Sequence, residues 1–320
     1  MSRLVRYFHT VIVLAGITWY IFTKHQQRQR YLTQTIKKLL PGMVLPDRIE
    51  RRFKKYIPVF LGIEYLYQQF TGRALEAQAL HRSALLSGLT PLFDDLIDDY
   101  GHSADYLLAL AHGTEAPHEP EAVCAVALFN AADFAWDEHC ERILIAQVNS
   151  SEQKSDQITY EQLWTLTREK GGASVVLGWH LITGAYGGTL MNNASYELGA
   201  YVQIVNDIFD VYKDREAHIA TLVTHCTDVP ELTALYRDFY QRLLAATQQI
   251  QVPGFRKRRL KALLALLHAM TELVLEQLLA TQRQHGGPFA IHQYTRQELV
   301  LDMSRWDNRL KWGWKVLTHP

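Results

Sequence analysis

A chain of 320 residues and 36.8 kDa, 48% hydrophobic and 21% charged with only 18 Gly and 10 Pro, can bury a sizeable core and is neither disordered, collagenous nor of low complexity. A mean hydropathy of −0.13 excludes a polytopic membrane protein, because several spans of ~20 apolar residues would raise it well above zero. The 33 basic residues balance 33 acidic ones, so no global field attracts nucleic acid, and the three cysteines (Cys124, Cys140, Cys226) form no CxxC pair of a disulfide framework or zinc site, which suits a reducing cytosol.

The neutral total hides a local imbalance. Residues 1–56 hold twelve Lys/Arg against two acids, Asp47 and Glu50, whereas residues 83–141 hold twelve Asp/Glu and no Lys or Arg. Solvated helices usually interleave the two signs, since Glu–Lys pairs one turn apart stabilise them. The acidic stretch therefore needs a counterion, and a bound divalent cation is one candidate.

In chain order, an apolar run at 7–22 (YFHTVIVLAGITWYIF) comes first, flanked by Arg3, Arg6, Lys24, Arg28 and Arg30. It is shorter than the ~20 residues that span a bilayer, and no small-residue cleavage site follows it. Residues 1–30 thus form an apolar, basic N-terminal segment, either a buried first helix or a peripheral membrane anchor. Apolar residues at three- and four-residue spacing then predict helices over Ala74 to Leu89, Leu232 to Ile250 and Leu260 to Leu279. Pro41-Gly42, Pro46, Pro117, Pro120, Pro230, Pro253-Gly254 and Gly286-Gly287-Pro288 punctuate them, and Gly171-Gly172 and Gly187-Gly188 are expected to break the proline-free middle. With no alternating strands, repeat or linker, residues 31–320 read as one all-α domain, a helical bundle large enough to hold a central cavity.

Two acidic motifs stand out. In Phe93-Asp94-Asp95-Leu96-Ile97-Asp98-Asp99-Tyr100, the four aspartates fall within a helical arc of roughly 140°. Such a face is either a solvated acidic surface or a seat for a hard divalent ion, which prefers oxygen ligands. In the second motif, Gln203 to Asp214, residues Asn206, Asp210 and Asp214 recur every four positions, with Gln203, Asp207 and Lys213 inside or beside the same stripe. Ile204, Val205, Ile208, Phe209, Val211 and Tyr212 fill the other side. One polar stripe on an apolar helix suits a helix that lines a polar cavity, although amphipathic surface helices carry similar stripes. Two such motifs together point to a cation cluster gripping a polyanion, with diphosphate as the natural guest.

On these residues the chain resembles the class I isoprenoid synthase superfamily. Asp94-Asp95-Leu96-Ile97-Asp98-Asp99 is similar to its DDxxD motif. NDIFDVYKD, from Asn206 to Asp214, is similar to the NDxxSxxKE motif of bacterial terpene cyclases, with Asp210 in place of Ser and Asp214 in place of Glu. The same stretch fits the QxxNxxxDxxxD pattern of squalene and phytoene synthases through Gln203, Asn206, Asp210 and Asp214. Thr167-Arg168-Glu169-Lys170-Gly171-Gly172 resembles a diphosphate-contacting TxxK segment of prenyl diphosphate synthases, and Arg305-Trp306 the C-terminal Arg-Tyr pair of cyclases. After Asp99 the next basic residue is Arg142 and there is no Gly-Lys pair, which argues against chain elongation with a second diphosphate.

The resemblance implies a class I terpenoid synthase-like bundle around a central cavity. It implies a magnesium-dependent terpene synthase, a carbon–oxygen lyase that ionises a prenyl diphosphate to a terpene hydrocarbon or alcohol. Three Mg²⁺ ions would be held by Asp94, Asp95, Asp98, Asp99, Asn206, Asp210 and Asp214. Arg168, Lys170, Lys213 and Arg305 would hydrogen-bond the diphosphate. Phe93, Trp136, Trp164, Trp179, Tyr186, Phe209 and Trp306 are candidates to line the pocket for the allylic cation. The alternatives are a head-to-head prenyl transferase of squalene or phytoene synthase type and a non-catalytic homologue that binds prenyl diphosphate or membranes. Expected partners are a small-molecule substrate and no nucleic acid, in a cytoplasmic monomer or homodimer, with peripheral membrane association through the N-terminus as the variant. The basic cluster Arg256-Lys257-Arg258-Arg259 reads as a solvated helix start, and none of the fourteen histidines has ligand spacing.

Overall fold

A computed structural model describes residues 3–134, 136–138, 140–141, 144–145 and 158–318, and it is all-α, with no strand among the described residues. The helices are α1 (Arg3–Leu39), α2 (Asp47–Thr71), α3 (Ala77–Asp98), α4 (Ala104–His112), α5 (Pro120–Ala132), α6 (Tyr160–Thr183), α7 (Thr189–Phe209), α8 (Val211–Glu216), α9 (Val229–Gln249), α10 (Gly254–His285), α11 (Arg296–Leu299) and α12 (Trp306–Thr318). α10 covers the predicted stretch Leu260 to Leu279, α9 covers Leu232 to Ile250 up to Gln249, and α3 covers Ala74 to Leu89 from Ala77 onward. Helix α1 runs through residue 30 without a break.

The chain divides into two compact units: residues 14–149 with 177–187, and residues 1–13, 150–176 and 188–320. In the first, Leu32 and Ile36 of α1 pack with Ile49, Phe53 and Phe60 of α2, Leu85, Leu89, Leu92 and Leu96 of α3, and Leu128 of α5. One charge is fully enclosed there. Glu64 accepts hydrogen bonds from Tyr20 (3.1 Å), Arg28 (3.0 Å) and Ser83 (2.5 Å), so each oxygen of a desolvated carboxylate has a partner.

In the second unit, Leu198, Tyr201, Ile204, Val205 and Ile208 of α7 are buried, as are Leu232, Tyr236, Phe239 and Leu243 of α9. A polar thread crosses this core: the Tyr201 and Tyr236 hydroxyls meet at 3.0 Å, and Tyr236 Oη lies 2.7 Å from His268 Nδ1 of α10. Gly171 and Gly172, expected to break a helix, lie inside α6. They serve close packing instead: a Cβ on Gly171 would sit 2.3 Å from the carbonyl oxygen of Gly199, and one on Gly199 would sit 2.0 Å from that of Gly171. Only glycine lets α6 and α7 approach that closely. Gly188 does mark a boundary, as the N-cap of α7.

Candidate functional site

The first motif ends α3. A helix C-terminus carries partial negative charge, so aspartates gathered there need cations. Helix α2 supplies them from Arg48 and Arg52, one turn apart. Arg52 Nη2 lies 2.7 Å from Asp95 Oδ1 and 3.9 Å from Asp94 Oδ2. Arg48 donates to Asp99 at 2.8 Å and to Glu121 of α5 at 3.0 Å, and lies 3.5 Å from Asp95. The Tyr56 hydroxyl donates to Asp94, and Tyr100 donates to Glu121 at 3.0 Å. Asp95 is buried, and desolvation pushes its carboxyl up, opposed by Arg52 and Arg48. The side chain of Asp98 lies outside the described residues. A bound divalent cation is one candidate counterion for the acidic stretch; at Asp94, Asp95 and Asp99, Arg48 and Arg52 of α2 supply positive charge beside the carboxylates.

The second motif spans the junction of α7 and α8. Asp210 breaks the regular helix at φ −92°, ψ 7°, yet its N–H donates to Asn206 O at 2.8 Å and the Asp214 N–H donates to Asp210 O at 2.8 Å. The four-residue register of Asn206, Asp210 and Asp214 thus survives the break. Burial then separates the side chains: Asp207 and Asp214 are buried, Asp210 is half-buried, and Asn206 and Lys213 are exposed. Gln203 Nε2 donates to Asp207 Oδ1 at 2.7 Å, while Asp207 Oδ2 is buried with no hydrogen-bond partner among the described residues. Burial raises the Asp207 carboxyl to about 7, with Asp214 and Asp210 adding to the rise and Lys170 opposing it. Burial raises Asp214 to about 6, helped by Asp210 and opposed by Lys213 and Lys170. Lys213 Nζ lies 3.6 Å from Asp210 Oδ2.

No protein-family model and no curated protein matches the chain. Among solved structures, a geranyltransferase from Legionella pneumophila has a TM-score of 0.45 at 13% identity, over 82% of this chain and 99% of that one. A dehydrosqualene synthase in complex with ligand has a TM-score of 0.40 at 13% identity, over 92% of this chain and 97% of that one.

The donor sets of the two motifs differ in their fit to Mg²⁺. The second fits. Asp207 and Asp214 are buried, neighbouring carboxylates push both of them further up, and Asp207 holds an orphaned oxygen, and a hard divalent ion relieves all three costs. In the first, Asp94, Asp95 and Asp99 already hold arginine or tyrosine donors, so a cation there would have to share or displace them.

Arg168 is buried and clamped to Glu197 through both terminal nitrogens (2.7 and 3.2 Å), its guanidinium over Trp164, Tyr196 and Phe239. Glu197 thus takes the donors a diphosphate would need. Arg305, expected to hydrogen-bond the diphosphate, pairs with Asp307 (3.0 and 3.1 Å), and Trp306, expected to line the pocket, is 74% exposed. Among the aromatic candidates, Trp179 packs edge-on against Tyr67 and Phe70, Trp136 against Phe129, and Tyr186 stacks on His180. Arg48, Arg52, Tyr56 and Glu121 were missed because spacing within one helix is silent about a partner on another. Asp207 was visible in the stripe, and only burial sets it above Asn206.

Proposed function

We propose that this chain is a magnesium-dependent class I terpene synthase that ionises a prenyl diphosphate and releases a terpene hydrocarbon or alcohol. The observation that carries this is the second motif: Asn206, Asp210 and Asp214 in four-residue register around the helix break, with Asp214 buried and, beside them, a buried Asp207 that has one oxygen with no hydrogen-bond partner among the described residues. Asn206, Asp210 and Asp214 would hold Mg²⁺, with Asp207 behind them fixed by Gln203. When bound, the ion neutralises charge that grows on the leaving diphosphate. Lys213 stands exposed beside Asp210 and can donate to phosphate oxygens; Lys170 already biases the same carboxylates electrostatically. Arg168 braces α6 on α7 through Glu197, which positions Lys170. Asp94 and Asp99, with side chains 39% and 51% exposed, leave more room for a ligand than the buried Asp95.

A second reading, head-to-head coupling of two prenyl diphosphates, is favoured by one contact. Gln203 belongs only to the squalene and phytoene synthase pattern, and it is the residue that holds Asp207 at 2.7 Å.

One experiment tests both. The full chain is incubated with Mg²⁺ and, separately, geranyl, farnesyl or geranylgeranyl diphosphate, with diphosphate release and products followed by gas chromatography. A monomeric terpene supports the synthase, and a product of doubled carbon number supports coupling. No turnover at any chain length overturns both. Asp94→Asn and Asn206→Leu are each expected to abolish turnover with helical content retained; wild-type rates in either count against the assignment.

A further inference from the structure

The sequence spacing shows no cysteine metal motif, yet the fold assembles a thiol, an imidazole and a carboxylate in the first unit. One ligand atom each of Asp137, Cys140 and His180 lies within 4.8 Å of the other two. The proposed reaction uses none of them.

The arrangement is held from several directions. The Cys140 N–H donates to Asp137 Oδ1 at 3.0 Å, which sets thiol and carboxylate three residues apart on one turn. His180 comes from the last turn of α6, its ring lying flat against Tyr186 at 3.7 Å and 3°. The Tyr186 hydroxyl is 3.2 Å from both Asp137 oxygens, so one residue orients two of the three groups, as outer groups do around metal ligands. Cys140 and His180 are buried, while the Asp137 side chain is 46% exposed, which leaves one side open to water. His180 Nε2 lies 3.9 Å from Asp137 Oδ2. Ligands of a tetrahedral ion with bonds of about 2.0–2.3 Å lie roughly 3.3–3.7 Å apart, so the His180–Asp137 pair is already close to that spacing, and all three ligand atoms, within 4.8 Å of one another, need only a small inward shift.

The donor chemistry selects the ion. Mg²⁺ demands oxygen, whereas sulfur with nitrogen and one carboxylate suits a borderline-soft divalent metal. We propose that Asp137, Cys140 and His180 bind one divalent transition ion of the Zn²⁺ class, with a fourth position open to solvent. Binding displaces the Cys140 thiol proton to water and forms the metal–thiolate bond. The site is independent of the magnesium-binding residues and stands or falls without them.

Metal-stripped full-length protein titrated with Co²⁺ in excess Mg²⁺ tests it. The expected result is one equivalent of Co²⁺ bound, with thiolate-to-cobalt charge-transfer absorption. Cys140→Ser should abolish that absorption, whereas Cys124→Ser, Cys226→Ser and Asp210→Asn should keep it. Asp137→Asn, at an exposed position that tolerates change, should keep the band and weaken affinity roughly tenfold or more. The proposal is overturned by no charge-transfer band in the wild type, by a band that survives Cys140→Ser, or by wild-type affinity in Asp137→Asn. If Cys140→Ser does not fold, Asp137→Asn decides alone.

Discussion

Arg52 of α2 reaches across to Asp95 of α3, its Nη2 2.7 Å from Oδ1 of a buried carboxylate. The pair turns an acidic helix end from a liability into a link between two helices. Arg52→Gln removes the main partner and leaves Asp95 desolvated, with Arg48 only at 3.5 Å. The expected loss is about 1–3 kcal/mol of stability, read as a lower urea midpoint with unchanged slope. Arg52→Gln with Asp95→Asn should recover most of it, because no charge is then stranded. If magnesium restores the single variant to wild-type stability, a cation rather than arginine is the counterion.

Gly171 and Gly199 let α6 and α7 touch backbone to backbone, and that contact fixes the helix that carries Asp207. An alanine Cβ at either position falls within 2.3 Å of a carbonyl oxygen, which no rotamer change relieves. Gly171→Ala and Gly199→Ala should each cost about 1–3 kcal/mol or more. Gly178→Ala, also inside α6 with open space around its Cβ, is the control and should be neutral or slightly stabilising. Equal urea midpoints for all three variants would refute the close-packing role.

These two cases mark where the sequence is legible. Periodicity and proline placement locate α3, α9 and α10, because apolar spacing is a property of one helix at a time. The register of Asn206, Asp210 and Asp214 follows from the same local rule and outlasts the break at Asp210. What joins one helix to another is not written in spacing. Arg52 with Asp95, Arg168 with Glu197 and His180 with Cys140 all pair residues distant in sequence. Gly171-Gly172 reads as punctuation for the same reason: glycine that ends a helix and glycine that packs one look alike until the neighbour is known.

Buried carboxylates make stability pH-dependent, and the sign follows from Asp207 and Asp214. Their ordinary value is 3.8, and the fold raises them to about 7 and about 6. Between 3.8 and 7 the folded chain therefore binds more protons than the unfolded one, and stability falls as pH rises through that window. Carboxyls lowered by their partners, such as Glu272 beside Arg237, act in the opposite sense but below 4.5. In chelator, urea midpoints should be higher at pH 5 than at pH 7.5, and Asp207→Asn should flatten the difference. Magnesium should also reduce it if these groups hold the ion. A midpoint that rises steadily from pH 5 to 7.5 would contradict the buried cluster.

Helix α1 carries a face that the first unit leaves uncovered. Trp19 and Phe22 are 69% and 72% exposed, one turn apart, and Lys24 and Arg30 follow on the same helix. Burying apolar side chains beside lysine and arginine is what an interfacial helix does at an anionic bilayer, where each basic residue adds roughly 1 kcal/mol. The full chain should co-float with vesicles containing phosphatidylserine and much less with neutral vesicles, and added salt should release it. Trp19→Ser with Phe22→Ser should cut the bound fraction by about tenfold or more, since each large side chain contributes on the order of 1.5–3 kcal/mol when buried. Equal flotation of wild type and double variant would show that this face does not meet the membrane, and would leave its exposed tryptophan and phenylalanine to some other contact.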